Sequence, residues 1–233
     1  MPPEQERRSH VKGERMRFVR TLVVIMTLLS TAAWGADLST SVLAGYKGGL
    51  SVRAGLGVSN FAQEFPLAMD FSLGRTWMDP GNPAEARKVF INDATDGTPE
   101  ESGGQWDFRL DFLYRLKVAN LSHLYAYAGI RYSMFTASFD FVGGNEFFDV
   151  TCNQWGIGAG VRGSFPMGKN IDLTLAVGAD QYFAAPISGH DTTYDPDGEN
   201  VSPRPGYTYD SADDAINQPK FQPLALIGIS VRF

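Results

Sequence analysis

The 233-residue chain has one cysteine, Cys152, and only three histidines. A single cysteine excludes an intrachain disulfide and any multi-cysteine metal site. Long apolar runs are scarce too. The mean hydropathy is −0.17, which excludes a bundle of hydrophobic transmembrane helices. Basic residues are outnumbered, 20 Lys and Arg against 26 Asp and Glu. That balance makes nucleic acid, or lipid held through polybasic segments, a poor partner. Order-forming material is not lacking: 43% of residues are hydrophobic and 12% aromatic. Such a composition belongs to a folded protein rather than a disordered one.

The one long apolar stretch sits near the start, in "MRFVRTLVVIMTLLSTAAWGADL". Arg17 and Arg20 precede an apolar segment from Leu22 to Leu29, and Ala33-Trp34-Gly35 offers the small residues that signal peptidase reads. Residues 1–35 are expected to be a secretory signal cleaved after Gly35, with Met16 the true start and 1–15 a mis-assigned extension. The competing reading is a retained anchor, for which the segment is short. No cysteine follows the cleavage position to accept a lipoprotein acyl group. The mature domain, 36–233, would carry 14 Lys and Arg (20 less 6) against 23 Asp and Glu (26 less 3).

From there on the chain alternates. In "LALIGISVRF", Ala225, Ile227, Ile229, Val231 and Phe233 share one face, and Leu224, Leu226, Gly228, Ser230 and Arg232 the other. Period two is strand periodicity. The same pattern recurs over 50–58, 65–73, 106–112, 124–134, 155–165 and 171–179. A soluble edge with this much apolar surface would aggregate, so the apolar face is expected to meet lipid. The opposite face combines Gly and Ser with Arg53, Asp70, Asp107, Arg109, Asp111, Arg131, Arg162, Asp172 and Asp180. Small residues with mixed charges suit the filled inside of a narrow barrel. Seven runs are odd, and single-chain bacterial barrels have even strand numbers. An eighth strand is expected over Val42, Ala44 and Tyr46, ending in a Gly48-Gly49 hairpin and pairing with the last strand. The predicted fold is all-β: an eight-stranded antiparallel transmembrane β-barrel with up-and-down meander order.

Connection lengths agree. Residues 60–64, 117–122 and 166–170 are short. Residues 78–104 and 184–218 are long and polar, 140–150 is intermediate, and these fall at the opposite end, outside the cell. The acidic 184–218 segment is expected to lack a core and to be mobile. Tyr46, Trp77, Trp106, Trp155, Phe183 and Phe221 sit at outer strand ends, and Phe61, Phe65, Phe165 and Phe233 at periplasmic ends, as aromatic girdles would.

The export signal, the even strand count and the terminal "IGISVRF" resemble the small outer-membrane barrel superfamily of OmpA transmembrane domains, OmpX and OmpW. The resemblance spans about residues 40–233. It implies that Phe233, Val231, Ile229 and Ile227 form the assembly signal read by the barrel-insertion machinery. It also implies outer-membrane lipid and lipopolysaccharide as surroundings. Architecture is shared in this superfamily more than function is.

Candidate chemistry is thin. Ser188, His190 and Asp191 could form a hydrolytic triad only if geometry assembled them. A solvated polar loop is the plainer reading. His123, beside Ser122, has no acid at a useful spacing. Asp195, Asp197, Glu199 and Asn200 surround Gly198 like a fragment of a calcium loop, without the full spacing. Gly156, Gly158 and Gly160 mimic a dinucleotide fingerprint but lie in a strand, so they are expected to make room for bulky lumen side chains such as Arg162 and its neighbours instead. The lumen charges are expected to pair as a plug, because an unpaired buried charge is costly; a narrow polar channel is the alternative. The function expected is therefore non-enzymatic: envelope structure, or adhesion and binding of an external ligand through 78–104 and 184–218. A small-solute pore and a lipid A-modifying enzyme are the alternatives. No cofactor is implied, and a monomer is expected.

Overall fold

A computed structural model describes residues 36–60, 67–118 and 121–233. The expected leader 1–35 and the girdle candidates Phe61 and Phe65 lie outside the described residues. Eight strands close on themselves: β1 (Asp37–Lys47), β2 (Leu50–Ser59), β3 (Leu67–Met78), β4 (Thr98–Val118), β5 (Leu121–Val142), β6 (Glu146–Pro166), β7 (Ile171–Tyr182) and β10 (Phe221–Arg232). Each pairs antiparallel with its neighbour, β5 joins β6, and β10 joins β1 with Val42 opposite Ile229. Closure leaves these strands no open edge within the wall.

Alternation drives the facing. Val42, Leu56, Phe71, Phe108, Ile130, Ile157, Val177 and Ile227 are exposed on the outer wall. Ser51, Arg53, Asp70, Asp107, Arg131, Thr174 and Ser230 are buried inside. An apolar exterior around a polar, filled interior is the membrane-spanning arrangement, since closed strands satisfy every backbone group without water. One side of the lumen is apolar: Leu43, Ala176, Leu224 and Leu226 pack together there.

Three strands are far longer than a membrane crossing requires. β4, β5 and β6 have 21, 22 and 21 residues, whereas roughly 9–11 suffice to cross. The extension corrects the expectation of an intermediate loop at 140–150. Only Gly143–Asn145 turns there, with Gly144 N–H bonded to the Phe141 carbonyl at 2.8 Å. In the extension the facing chemistry inverts. Arg131 and Ser133 give way on the inner face to Phe135, Ala137, Phe139 and Phe141, all buried.

The expectation of a mobile, coreless 184–218 segment is also corrected. It forms a small hairpin, β8 (Ile187–Gly189) and β9 (Thr192–Tyr194), added to β6, and a helix, α2 (Tyr209–Ala215). The 78–104 segment contributes α1 (Pro83–Phe90) and the start of β4. Asn82 caps α1 by accepting from the Ala84 and Glu85 N–H groups, with Pro83 in the first turn. Together these pieces form a cap whose core joins Val89, Phe90, Phe139, Phe148, Ile187 and Tyr194. Each segment alone is too short to form a core; three segments folded against one another are not.

Candidate functional site: the lumen network and its cap

Most of the nine lumen charges converge at one level of the barrel. Asp180, fully buried on β7, lies 2.5 Å from Arg109 and 2.8 Å from Arg131. Arg131 also reaches Asp111 at 2.7 Å. Asp107 pairs with Lys47 at 2.8 Å, and Lys47 is 3.6 Å from Asp180. Three cations thus face three carboxylates, so the buried cluster is electrically balanced. Tyr182 roofs it, its hydroxyl accepting from Lys47 and from Gln105, each at 3.0 Å.

Two smaller groups lie nearer the periplasmic end. Arg162 bonds Asp70 at 2.8 Å and Ser230 at 3.1 Å. Arg232 bonds Asp172 at 3.0 Å on the rim. Arg53 departs from the expected pairing. It is buried but makes no ion pair among the described residues. It instead lines a small cavity of about 10 Å³ with Asp70, Asp111, Leu113, Tyr127 and Arg162, room for about one water.

The glycines in β6 make room for this network. A Cβ on Gly158 would stand 2.0 Å from an Asp180 oxygen and 2.6 Å from the Arg131 guanidinium. The beneficiaries are Asp180, Arg131 and Tyr127 rather than Arg162. Lys47, Gln105, Tyr182 and Arg232 were not among the sequence candidates. Each sits at the inward parity of its strand, so alternation carried to the strand ends would have found them.

Beyond the network, on the strand extensions, lies the cap. Arg87 of α1 is buried, 2.5 Å from Glu146 and stacked 4.5 Å from the Phe141 ring. Its guanidinium also donates to the Asp96 carbonyl at 2.6 Å. The Tyr194 hydroxyl donates to the Val89 carbonyl at 2.9 Å. Arg204 donates to the Lys88 carbonyl and pairs with Asp93 at 3.1 Å. Backbone bonds stitch the two long segments: Asn82 N–H to Ala215, and Asn217 N–H to Pro80. Cys152 lies in this core beyond the Trp155 girdle, and burial pushes its thiol up to about 12. Burial likewise raises the Tyr209 hydroxyl to about 12.

The cap does not assemble the hydrolytic candidates. Ser188 Oγ bonds Thr193 Oγ1 at 2.9 Å, and among the described residues His190 meets only the adjacent Asp191, at 3.3 Å, on the surface. Asp195 and Asn200 spend side-chain oxygens on the N–H groups of Asp197 and Asp195. Among the described residues no cluster of His, Cys, Asp or Glu is arranged to hold a metal ion.

No protein-family model matches the sequence, and no curated protein matches it. Solved structures do. A major outer membrane protein from Thermus thermophilus superposes with a TM-score of 0.69 at 24% identity, covering 85% of this chain and 99% of that one. The chain has the fold of the small outer-membrane β-barrels. Fainter likenesses extend to Neisserial surface protein A, at TM-score 0.42 and 14% identity over 85% of this chain and 97% of that one. Acinetobacter baumannii CarO2 follows at 0.40 and 14%, over 85% and 98%. In this outer-membrane barrel fold the lumen is filled by the charge network, and the extended strands carry the cap.

Proposed function

We propose that the protein is an integral barrel of a bacterial outer membrane that presents its folded cap as a recognition surface, without catalysis and without a solute path through the lumen. The observation that carries this reading is the cap core, packed on the strand extensions beyond a lumen that holds the charge network. A mobile loop would leave the mouth open; a packed core of α1, α2, the β8–β9 hairpin and the β5 and β6 extensions would cover it. The cap also concentrates the negative charge. Residues 79–104, 140–150 and 184–220 hold 16 Asp and Glu against four Lys and Arg. A single-sign field of that kind steers oppositely charged partners and weakens as salt rises. The expected ligand is therefore a cationic external molecule. At the other end, Phe233, Val231, Ile229 and Ile227 would act as the signal for the barrel-insertion machinery.

Two measurements on the folded barrel test this. Reconstituted in a planar bilayer, it should show no stepwise conductance; discrete openings in most insertions would overturn the sealed-lumen reading. An oligolysine peptide should bind the folded barrel in a salt-dependent manner. Binding should fall when Asp195, Asp197, Asp210 and Asp214 are changed to Asn together. Unchanged binding by that variant would overturn the acidic-cap reading.

A further inference from the structure

On the outer wall, strands β2 to β6 enclose a shallow groove of about 580 Å³, within the range of small-molecule sites. Its lining is apolar, including Leu56, Phe71, Leu73, Phe108, Tyr132 and Trp155. Strand register sets Leu73, Phe108, Tyr132 and Trp155 side by side in one row. One row nearer the cap, Arg75 stands opposite Trp106. Arg75 shares the outward parity of Leu73 and Trp77, so this cation belongs to the lipid-facing wall.

Its surroundings are built for a guanidinium. The group lies 5.3 Å from the Trp106 ring and 5.9 Å from the Trp77 ring, within cation–π range. Beside it, a Cβ on Gly104 would fall 2.3 Å from an Arg75 guanidinium nitrogen, so glycine there leaves space for the charge. No carboxylate pairs with Arg75 among the described residues. A guanidinium on the lipid face is tolerated close to the interface, where it reaches headgroups. Its planar fork matches phosphate oxygens two at a time. Two flanking indoles restrict it beforehand, so little freedom remains to be lost on binding.

We propose that Arg75, Trp77 and Trp106 form a headgroup site for a membrane lipid bearing a phosphate, with one acyl chain of that lipid lying in the groove beneath. The inference rests on the barrel spanning a membrane, and the lipid would belong to the leaflet on the cap side. The charge of Arg75 calls for the anion, and the groove below it calls for the chain. A lipid carries both in one molecule.

The test uses the full folded chain in a neutral maltoside detergent, with native mass spectrometry. Phosphatidylglycerol is titrated beside monogalactosyl diacylglycerol of matched chains, which lacks phosphate. The expected result is one phosphatidylglycerol retained about tenfold or more tightly over the glycolipid, the scale of charge-assisted hydrogen bonds. Arg75→Gln should erase that preference while the barrel still shows its heat-dependent gel shift. Leu73→Trp, which fills the groove, should weaken both lipids. Sodium phosphate at the lipid's concentration should displace nothing. Undiminished preference in Arg75→Gln overturns the site, as does displacement by sodium phosphate, which would mean a free-anion site. A chain that stays soluble without detergent overturns the membrane reading itself. A detergent-requiring barrel that binds both lipids alike overturns the headgroup site only.

Discussion

Changing Asp180 to Asn should loosen the barrel more than any other single isosteric change in the lumen. The side chain is fully buried, 2.5 Å from Arg109 and 2.8 Å from Arg131, with Lys47 at 3.6 Å. Asn keeps the shape and one acceptor oxygen. It removes the charge and turns an NH2 group toward one of the guanidinium groups, donor against donor. The cluster then holds three cations and two carboxylates. Breaking a buried pair by removing one partner costs about 3–5 kcal/mol, and two direct partners place Asp180 toward the upper end. In a chain of this size about 1 kcal/mol moves the midpoint by roughly 2–4 °C, so the expected drop is about 6–20 °C. The assay is the fraction of compact species on SDS gels after heating at stepped temperatures. Lys88→Ala, in an exposed pair with Glu85 on α1, is the control and should leave the midpoint unchanged. The double variant Asp180→Leu with Arg131→Leu should lose less than the sum of its single changes, because it removes both ends of one contact. A midpoint for Asp180→Asn within about 2 °C of the parent, less than 1 kcal/mol on this scale, would refute the network as a source of stability.

Three further outcomes follow from other parts of the molecule. Cys152, buried with its thiol pushed up to about 12, stays neutral and shielded at pH 8.5. A maleimide should label it only after unfolding, and labelling of the native barrel at a free-thiol rate would contradict the cap packing. The cap should resist protease added to the folded barrel, whereas Tyr194→Ala, removing a buried ring and its bond to Val89 at a cost of about 3–5 kcal/mol, should expose 184–218 to cutting; equal resistance would show the ring is not needed. Phe233 is exposed at the rim, its N–H bonded to the Leu38 carbonyl at 2.9 Å, so Phe233→Asp should reduce insertion in cells far more than refolding into detergent. Equal losses in the two assays would leave it a stability role alone.

The strands were legible because alternation is a local property. Each pleat sends one side chain in and the next out, so Ile227 and Ile229 announce their face without knowledge of any partner. Strand number followed from parity, and the pairing of the first strand with the last followed from the need to remove two edges. The cap was not legible in the same way. Asn82-Pro83 is a helix start that can be read in the sequence, and Thr208 with Ser211 forms a capping box. Both lie in stretches whose Gly, Pro and Asp content reads as loop. The inward run Phe135, Ala137, Phe139 and Phe141 keeps its period but reverses its chemistry at the rim, which blurs the signal over that strand.

What the sequence by itself determined is the barrel: its strands, their facing, and a lumen of mixed charge. Which charges meet was decided only by closure. Asp180 and Arg109 are 71 residues apart, and their contact depends on how strands are staggered around the axis. Closure also left Arg53 lining a small cavity with Asp70 and Asp111, without an ion-pair contact to either among the described residues. The cap core was decided by tertiary structure alone, because it draws Phe90, Phe148 and Tyr194 from separate segments. None of these segments buries enough apolar surface by itself to offset the entropy of ordering it.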